Sequence, residues 1–429
     1  MLDIKLIREN PDVVRKDLMK RNQKEKVKFL DDAVKKDQRW RELTAEVNKL
    51  RQQRNEISLE IAKLKKAGKA TTAKMKDAAA IPEKIKKLEH EAEECRGSVR
   101  YDLMMLPNLM HESVPEGMDA NDNLEVKKFG KQPKFSFEPK NHLEILTNLG
   151  MIDTERAAKT AGHGFFYLKG DVVLLDLALQ RFAIDSITKK GFLLVEPTFM
   201  LNKKAFEGAT DIDNLKEQIY KIENEDQYLV GTAEHTLAAM FMDEVLDKNN
   251  LPAKFVGVSP CFRKEVGAHG KYTRGMFRMH HFNKVEQFIF CTPENSWEHF
   301  EEIEKNSEEL YQKLGLYCRI VNLCSGDLGA FSAKTLDTEA WMADGNFREV
   351  GSCSNFTDYQ GRRLNIKFRE GPGKPTADFV HTLNNTALAT SRTMIAIIEQ
   401  FQQADGSVEI PKVLHPFMAG IKKLEKKGL

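Results

Sequence analysis

Between residues 43 and 64 the apolar side chains fall at Leu43, Val47, Leu50, Ile57, Ile61 and Leu64, with Arg54 in the one interrupted place. Their steps alternate between four and three, the spacing of a coiled-coil seam, narrower than the apolar face of an ordinary surface helix. A second seam runs through Ile81, Ile85, Leu88, Ala92, Cys95 and Val99. Residues 65–72 between them combine Gly68, Thr71 and Thr72 with several lysines, a turn composition. The pattern predicts an antiparallel helical hairpin over about residues 30–104, whose first helix would reach on the order of 55 Å at 1.5 Å per residue.

Residues 106–115 are bounded by Pro107 and Pro115 and predict a linker. From Asn141 the pattern changes. A helical stretch over residues 174–190 precedes a strand-like run at Phe192, Leu193, Leu194 and Val195, and further apolar runs occur near Phe255 and from Val285 to Phe290. Such strands, joined by long loops with few regular βαβ repeats, predict an α+β body on an antiparallel β-sheet with flanking helices. The expected division is an N-terminal domain over 1–113 and a second domain over 114–429.

A chain of 429 residues with 41% hydrophobic content can bury large cores, and two domains are the natural expectation. The formal net charge is only +2, but it is unevenly distributed. Residues 1–100 carry 27 Lys and Arg against 18 Asp and Glu, leaving 39 against 46 in the rest. A basic N-terminal segment on an acidic body points to a polyanionic partner for the hairpin. A dimerisation coil or a solvated spacer is the competing reading, and the lysines at the tip favour nucleic acid. The six cysteines form no C-x-x-C pair, so reduced thiols in a cytoplasmic protein are expected and a structural zinc site is not. No apolar run approaches the roughly 20 residues that span a bilayer, and early acids such as Asp3, Glu9 and Asp12 argue against a leader.

The densest chemistry lies in Pro260-Cys261-Phe262-Arg263-Lys264-Glu265 and in the loop that follows, which holds Lys271, Arg274 and Arg278 before Met279, His280, His281 and Phe282. Strand, basic loop, strand can hold guanidinium forks rigidly against phosphate oxygens. It can also be a basic surface hairpin. The residues resemble motif 2 of class II aminoacyl-tRNA synthetases, where F-R-x-E opens the loop and a second Arg and a Phe close it. More narrowly, Thr232-Ala233-Glu234, Lys284-Val285-Glu286, Arg348-Glu349-Val350-Gly351-Ser352-Cys353-Ser354-Asn355 and His381-Thr382-Leu383-Asn384-Asn385-Thr386 stand in the order and spacing of seryl-tRNA synthetases. The tail with Asp405-Gly406-Ser407, Ile410-Pro411 and Leu414-His415-Pro416 and the opening residues from Met1 to Pro11 resemble the same family.

That resemblance implies a class II catalytic domain behind a tRNA-binding hairpin that grips the long arm of tRNA(Ser). Double-stranded RNA offers shape and phosphate more than base edges, which suits a stiff basic rod. The implied reaction makes seryl-adenylate from L-serine and Mg-ATP and transfers serine to tRNA(Ser), with tRNA(Sec) a further expected substrate. The resemblance places Arg263 on the α-phosphate and the substrate carboxylate. It gives Lys264 and Glu265 to the same ATP motif, Arg278 to the bent triphosphate, and the Met279 backbone to the adenine edge. Phe282 would stack on adenine, with Arg392 on its other face. Glu349 and Ser352 would hold magnesium, flanked by Val350 and Gly351 in the ATP site. Serine would be bound by Thr232, Ala233, Glu234, Arg263, Glu286, Asn384 and Thr386. Of these, Glu286 would meet the substrate's ammonium and hydroxyl, and Thr386 would add a second contact to the hydroxyl, which is how serine would be told from alanine. Residues 191–197 resemble motif 1, a dimer element, and imply a homodimer.

Two departures from the family pattern affect fine geometry. Residues 386–392 have Ala387, Ala389 and Ser391 where glycine is common, and Gly351 stands where a serine is often found. Cys261, Cys353, His280 and His281 are expected to pack and not to react. Two other functions compete: a synthetase homologue that loads a carrier protein, and a non-catalytic RNA-binding paralogue. The intact hairpin disfavours the first; joint retention of Arg263, Glu286, Glu349 and Arg392 disfavours the second.

Overall fold

The seams fold as their spacing requires. In the computed structural model, which describes residues 1–211, 217–265 and 276–426, the chain forms two compact units, Met1–Leu109 and Met110–Leu429. In the first, α1 (Ile4–Glu9) and α2 (Pro11–Lys20) precede the hairpin arms α3 (Val27–Lys66) and α4 (Thr72–Met105). At 40 residues, α3 is about 60 Å long. Val47, Ile81 and Ile85 are buried between the arms, flanked by Leu50, Ile57 and Leu88. Near the base Leu43 and Leu30 are fully buried, whereas toward the tip Ile57, Ile61 and Leu64 are only half-covered. A two-helix coil has one partner face, so only the base, where α1 and α2 add apolar cover, builds a core. Arg8 clamps Asp37 through two hydrogen bonds of 2.7 Å, fixing α1 to α3. Arg39–Glu91 and Arg51–Glu89 pair across the arms, while Lys63, Lys65, Lys66 and Lys69 near the tip are exposed.

The second unit is built on one eight-stranded sheet. Its strands are β1 (Leu124–Phe129), β2 (Leu193–Val195), β3 (Ala253–Phe262), β4 (His281–Cys291), β5 (Cys318–Asn322), β6 (Lys334–Trp341), β7 (Phe347–Thr357) and β8 (His381–Ala389). Their order is β1-β5-β6-β7-β8-β4-β3-β2, and every neighbouring pair is antiparallel except β2 with β3. Helices α5 (His142–Leu149), α6 (Asp171–Thr188), α7 (Ala233–Ala239), α8 (Ser296–Leu314), α9 (Tyr359–Leu364) and α10 (Thr390–Gln400) flank it. The α+β body on an antiparallel sheet is therefore the observed fold. In α8, Phe300, Ile303, Leu310 and Leu314 are buried in the main core while acids occupy much of the opposite face.

Helix α10 is seated by a buried knot. Glu399 is fully enclosed; its Oε1 accepts the His142 backbone N–H at 2.9 Å and meets His142 Nδ1 at 2.7 Å. Its Oε2 accepts the Ala343 N–H at 2.9 Å, and His142 Nε2 in turn accepts the Met276 N–H at 3.3 Å. One carboxylate thus ties α10, the start of α5 and the β6–β7 turn, and through His142 the chain at Met276. Buried polar groups persist when they are satisfied in this way.

Candidate active site

The central strands β3, β4, β8 and β7 form the floor of a cleft of about 440 Å³. Alternation along β4 sends Phe282 and Lys284 to its wall and Glu286 into the same face. Across the sheet Glu286 lies opposite Thr386 of β8 on one side and Gly257 of β3 on the other. Gly257 lets α7 approach closely, since a Cβ there would stand 2.9 Å from Leu237 and 3.1 Å from Ala233. That approach brings the α7 N-terminus over the floor, with Thr232 as its cap, accepting the Glu234 N–H at 3.2 Å.

Two carboxylates share one amide at the bottom of the cleft. Asn384 Nδ2 donates to Glu286 Oε1 at 2.7 Å and to Glu234 Oε2 at 3.0 Å. Glu286, fully buried, also receives the Thr232 and Thr386 hydroxyls, each at 3.4 Å, and pairs with the ammonium of buried Lys284. Glu234 Oε1 accepts from Gln360 Nε2 at 3.1 Å, and Gln360 is itself held by Thr382 at 2.8 Å. Burial, then the charge of Glu286, pushes the Glu234 carboxyl up to about 7. His235 also lines the cleft; burial and the nearby Arg263 and Lys284 push it down to about 3, and its Nδ1 makes no hydrogen bond among the described residues.

Arg263 enters from the end of β3. Its Nε donates to the Gly231 carbonyl at 3.3 Å and its guanidinium stands 5.3 Å from the Phe282 ring centre. On the far wall Arg392 Nη1 pairs with Glu349 Oε2 at 3.0 Å and donates to the Glu349 carbonyl at 3.0 Å. Although burial opposes its charge, the Arg392 guanidinium holds the Glu349 carboxyl below its ordinary value. Asp337 of β6 lies opposite Ser352 of β7. Burial and then Glu349 hold Asp337 well above the usual carboxylate range, and its Oδ1 is buried without a partner among the described residues.

The cleft therefore brings together Arg263, Phe282, Thr232, Glu234, Asn384, Thr386, Glu349, Val350, Gly351, Ser352 and Arg392, with Glu286 just beneath. Other expected site residues lie apart. Ala233 is core, packed with Leu237 and Phe288, and the Met279 side chain is buried in the main core. Lys264 stands 5.6 Å from the Tyr220 ring centre, and Arg278 pairs with Glu265 at 3.7 Å. Lys271 and Arg274 fall outside the described residues. Arg392 stacks 5.0 Å from the ring of Phe277, which sequence reasoning did not single out. It also missed Gln360 and Asp337, and it quoted Lys284 within a motif without giving it a role. Only Lys284 carried a readable signal, two places before Glu286 on a strand. Gly351 is explained as well: a Cβ there would stand 3.3 Å from the Tyr311 hydroxyl and 3.4 Å from the Thr386 carbonyl. The cysteines at 261 and 353 are buried free thiols. His280 stacks on Phe165 with ring centres 4.6 Å apart and contacts Tyr220, and His281 stacks on Phe166 at 5.9 Å.

Residues 1–110 match the family model of the seryl-tRNA synthetase N-terminal domain, and residues 218–401 match that of the class II tRNA synthetase core domain (G, H, P, S and T). The chain is 51% identical over 425 residues to a serine–tRNA ligase of Methanocella arvoryzae, covering 99% of this chain and 100% of the relative. It is 50% identical over 419 residues to the serine–tRNA ligase of Methanospirillum hungatei, covering 97% and 99%. Among solved structures, seryl-tRNA synthetase from Pyrococcus horikoshii complexed with ATP superposes with a TM-score of 0.96 at 46% identity, each chain covered completely. The cytoplasmic serine–tRNA ligase of Naegleria fowleri in complex with AMP gives 0.90 at 34% identity, over 100% of this chain and 99% of that one. With both family models matched in order and full-length relatives at this identity, the chain belongs to the seryl-tRNA synthetases, the class II serine–tRNA ligases.

Proposed function

We propose that the cleft activates L-serine with ATP and passes the seryl group to the terminal ribose of tRNA(Ser), tRNA(Sec) being a further acceptor. The observation that carries this reading is the pair of guanidinium groups, Arg263 and Arg392, lining a cleft whose floor holds Glu234 and Glu286 joined through Asn384. Two guanidinium groups suit a triphosphate and a carboxylate; two carboxylates, an amide and threonine hydroxyls suit an ammonium beside a small hydroxyl. In the first step a serine carboxylate oxygen attacks the α-phosphorus and pyrophosphate leaves. Arg263 holds both reactants and stabilises the charge that grows on the α-phosphate oxygens. Phe282 and Arg392 offer ring and guanidinium faces to adenine, Arg278 meets the outer phosphates, and Lys264, Glu265, Val350 and the Met279 backbone complete the ATP site. In the second step a ribose hydroxyl attacks the seryl carbonyl and AMP leaves.

Glu349 and Ser352 fit a magnesium ion, a hard cation that takes oxygen donors, and the buried Asp337 Oδ1, without a partner among the described residues, adds unspent acceptor capacity beside them. When bound, the ion would withdraw charge from the phosphate oxygens. The basic hairpin takes the tRNA. A homodimer is supported by the exposed apolar side chains of Val173, Leu174 and Leu177 on α6 and of Leu193 and Leu194 on β2, surface of the kind that pairs by two-fold symmetry. No helix among the described residues is long and apolar enough to cross a membrane, and the free thiols accord with a cytoplasmic setting.

Binding of a non-hydrolysable seryl-adenylate analogue tests the site. It should raise the melting temperature more than the alanyl analogue does, and equal shifts would overturn the assignment of the pocket to serine. A pH prediction follows from Glu234. A carboxyl raised to about 7 is protonated below that pH and then holds an ammonium poorly. Hence kcat/KM for serine should fall up to about tenfold per unit as pH drops below about 7, while KM for ATP stays flat. A serine profile flat from about pH 6 to 8 would contradict this.

A further inference from the structure

Glu399 and His142 seat α10, and the bonds they make also run outward, toward Arg392. Glu399 follows Arg392 on α10 by about two turns, so both side chains leave the same face of the helix. Two branches start from its carboxylate. Through Oε1 it meets His142 Nδ1, and His142 Nε2 accepts the Met276 N–H at 3.3 Å. Since Nε2 accepts, the imidazole proton sits on Nδ1, facing Glu399. Through Oε2 it takes the Ala343 N–H. Ala343 stands in the β6–β7 turn, where Asp344 clamps Arg348 with bonds of 2.7 and 2.6 Å.

Both branches end on Phe277. Met276 is its neighbour in the chain, and the Arg348 guanidinium lies 5.9 Å from its ring centre. The Arg392 guanidinium lies 5.0 Å from the same ring. Phe277 itself belongs to a turn, outside any strand or helix, so a side-chain bond to the adjacent N–H has strong influence on where the ring sits. A guanidinium is flat, with a donating edge and two faces that stack. Glu349 takes the edge of Arg392 with its carboxylate and its carbonyl, each at 3.0 Å, and Phe277 covers one face. The other face is then the one that Arg392 offers to the cleft it lines. A long side chain held in this way before the ligand arrives loses less rotamer freedom on binding.

We infer that His142 is a positioning residue for nucleotide binding: held by Glu399, it pegs the chain at Met276 so that Phe277 seats the Arg392 guanidinium with one face open to adenine. This rests on the cleft being the ATP site. His142 touches neither substrate, and its effect passes through Met276, Phe277 and Arg392. The two ring nitrogens have separate duties. Nδ1, on a fully buried carboxylate, serves the fold; Nε2 serves the nucleotide.

Substitution separates those duties. Asn puts an amide N–H near the place of Nδ1 and nothing at Nε2, whereas Gln reaches the place of Nε2. Full-length His142→Asn should therefore keep the bond to Glu399 and lose the one to Met276, and His142→Gln should do the reverse. In pyrophosphate exchange, KM for ATP should rise about tenfold in His142→Asn, as for one buried N–H left unpaired, and stay within about threefold in His142→Gln. KM for serine should stay within about threefold in both. The melting temperature should fall further in His142→Gln, which leaves the buried carboxylate short of a donor. A KM for ATP that follows the melting temperature, higher in the less stable variant, would overturn the proposal and leave His142 a purely structural residue. Phe277→Leu keeps apolar bulk but removes the ring, and should raise KM for ATP about 3- to 30-fold. An unchanged value there would overturn the path through Phe277, and that measurement decides even if neither His142 variant folds. Arg392→Ala with unchanged ATP affinity by calorimetry would instead defeat the reading of Arg392 as an ATP residue beneath it.

Discussion

Arg263→Ala should lower the rate of seryl-adenylate formation by about 10²- to 10³-fold, the usual loss for one preorganised donor to transition-state charge. The side chain does little for the fold. Among the described residues it makes one donation, to the Gly231 carbonyl, and one stacking contact, with Phe282, both at the cleft surface. The melting temperature should therefore move little while turnover collapses. The loss should appear mainly in kcat, because growing charge on the α-phosphate belongs to the transition state more than to bound ATP. Near-normal pyrophosphate exchange in a folded Arg263→Ala protein would refute the role.

Removing the hairpin should divide the two half-reactions. Every residue placed on ATP and serine lies after residue 231, in a unit that is compact by itself. A chain of residues 110–429 should form seryl-adenylate with KM values close to those of the full protein. Its kcat/KM for tRNA(Ser) should fall by about 10³-fold, because neutralised phosphates supply much of such affinity. For the intact protein, KM for tRNA should rise steeply with salt while activation barely responds. Charging by the shortened chain with an unchanged KM for tRNA would make the hairpin a spacer or a dimer coil.

The elements legible in the sequence were those whose signal is local. The alternating steps from Leu43 to Leu64 and from Ile81 to Val99 marked both arms, because a seam repeats within a turn or two. The spacing of Arg263, Glu286, Glu349 and Arg392 marked the class, because each is fixed along its own strand or helix. What escaped depends on register between distant strands. Asp337 meets Ser352 only because β6 and β7 pair at that step, and Gln360 reaches Glu234 across 126 residues of chain. Gly351 looked like a lapse from pattern until Tyr311, arriving from α8, filled the space. Lys284 was a different failure. The alternation that turns Glu286 inward turns Lys284 inward too, but lysine is so rarely buried that its type hid its position.

The most direct test of the whole account is amino-acid-dependent exchange of pyrophosphate into ATP, run with each of the standard amino acids and followed by charging of purified tRNA(Ser). Serine alone should support rapid exchange with magnesium present, and the same protein should then acylate tRNA(Ser) but not a tRNA lacking the long variable arm. Exchange driven equally by alanine or threonine, or adenylate formation with no transfer to tRNA(Ser), would contradict it.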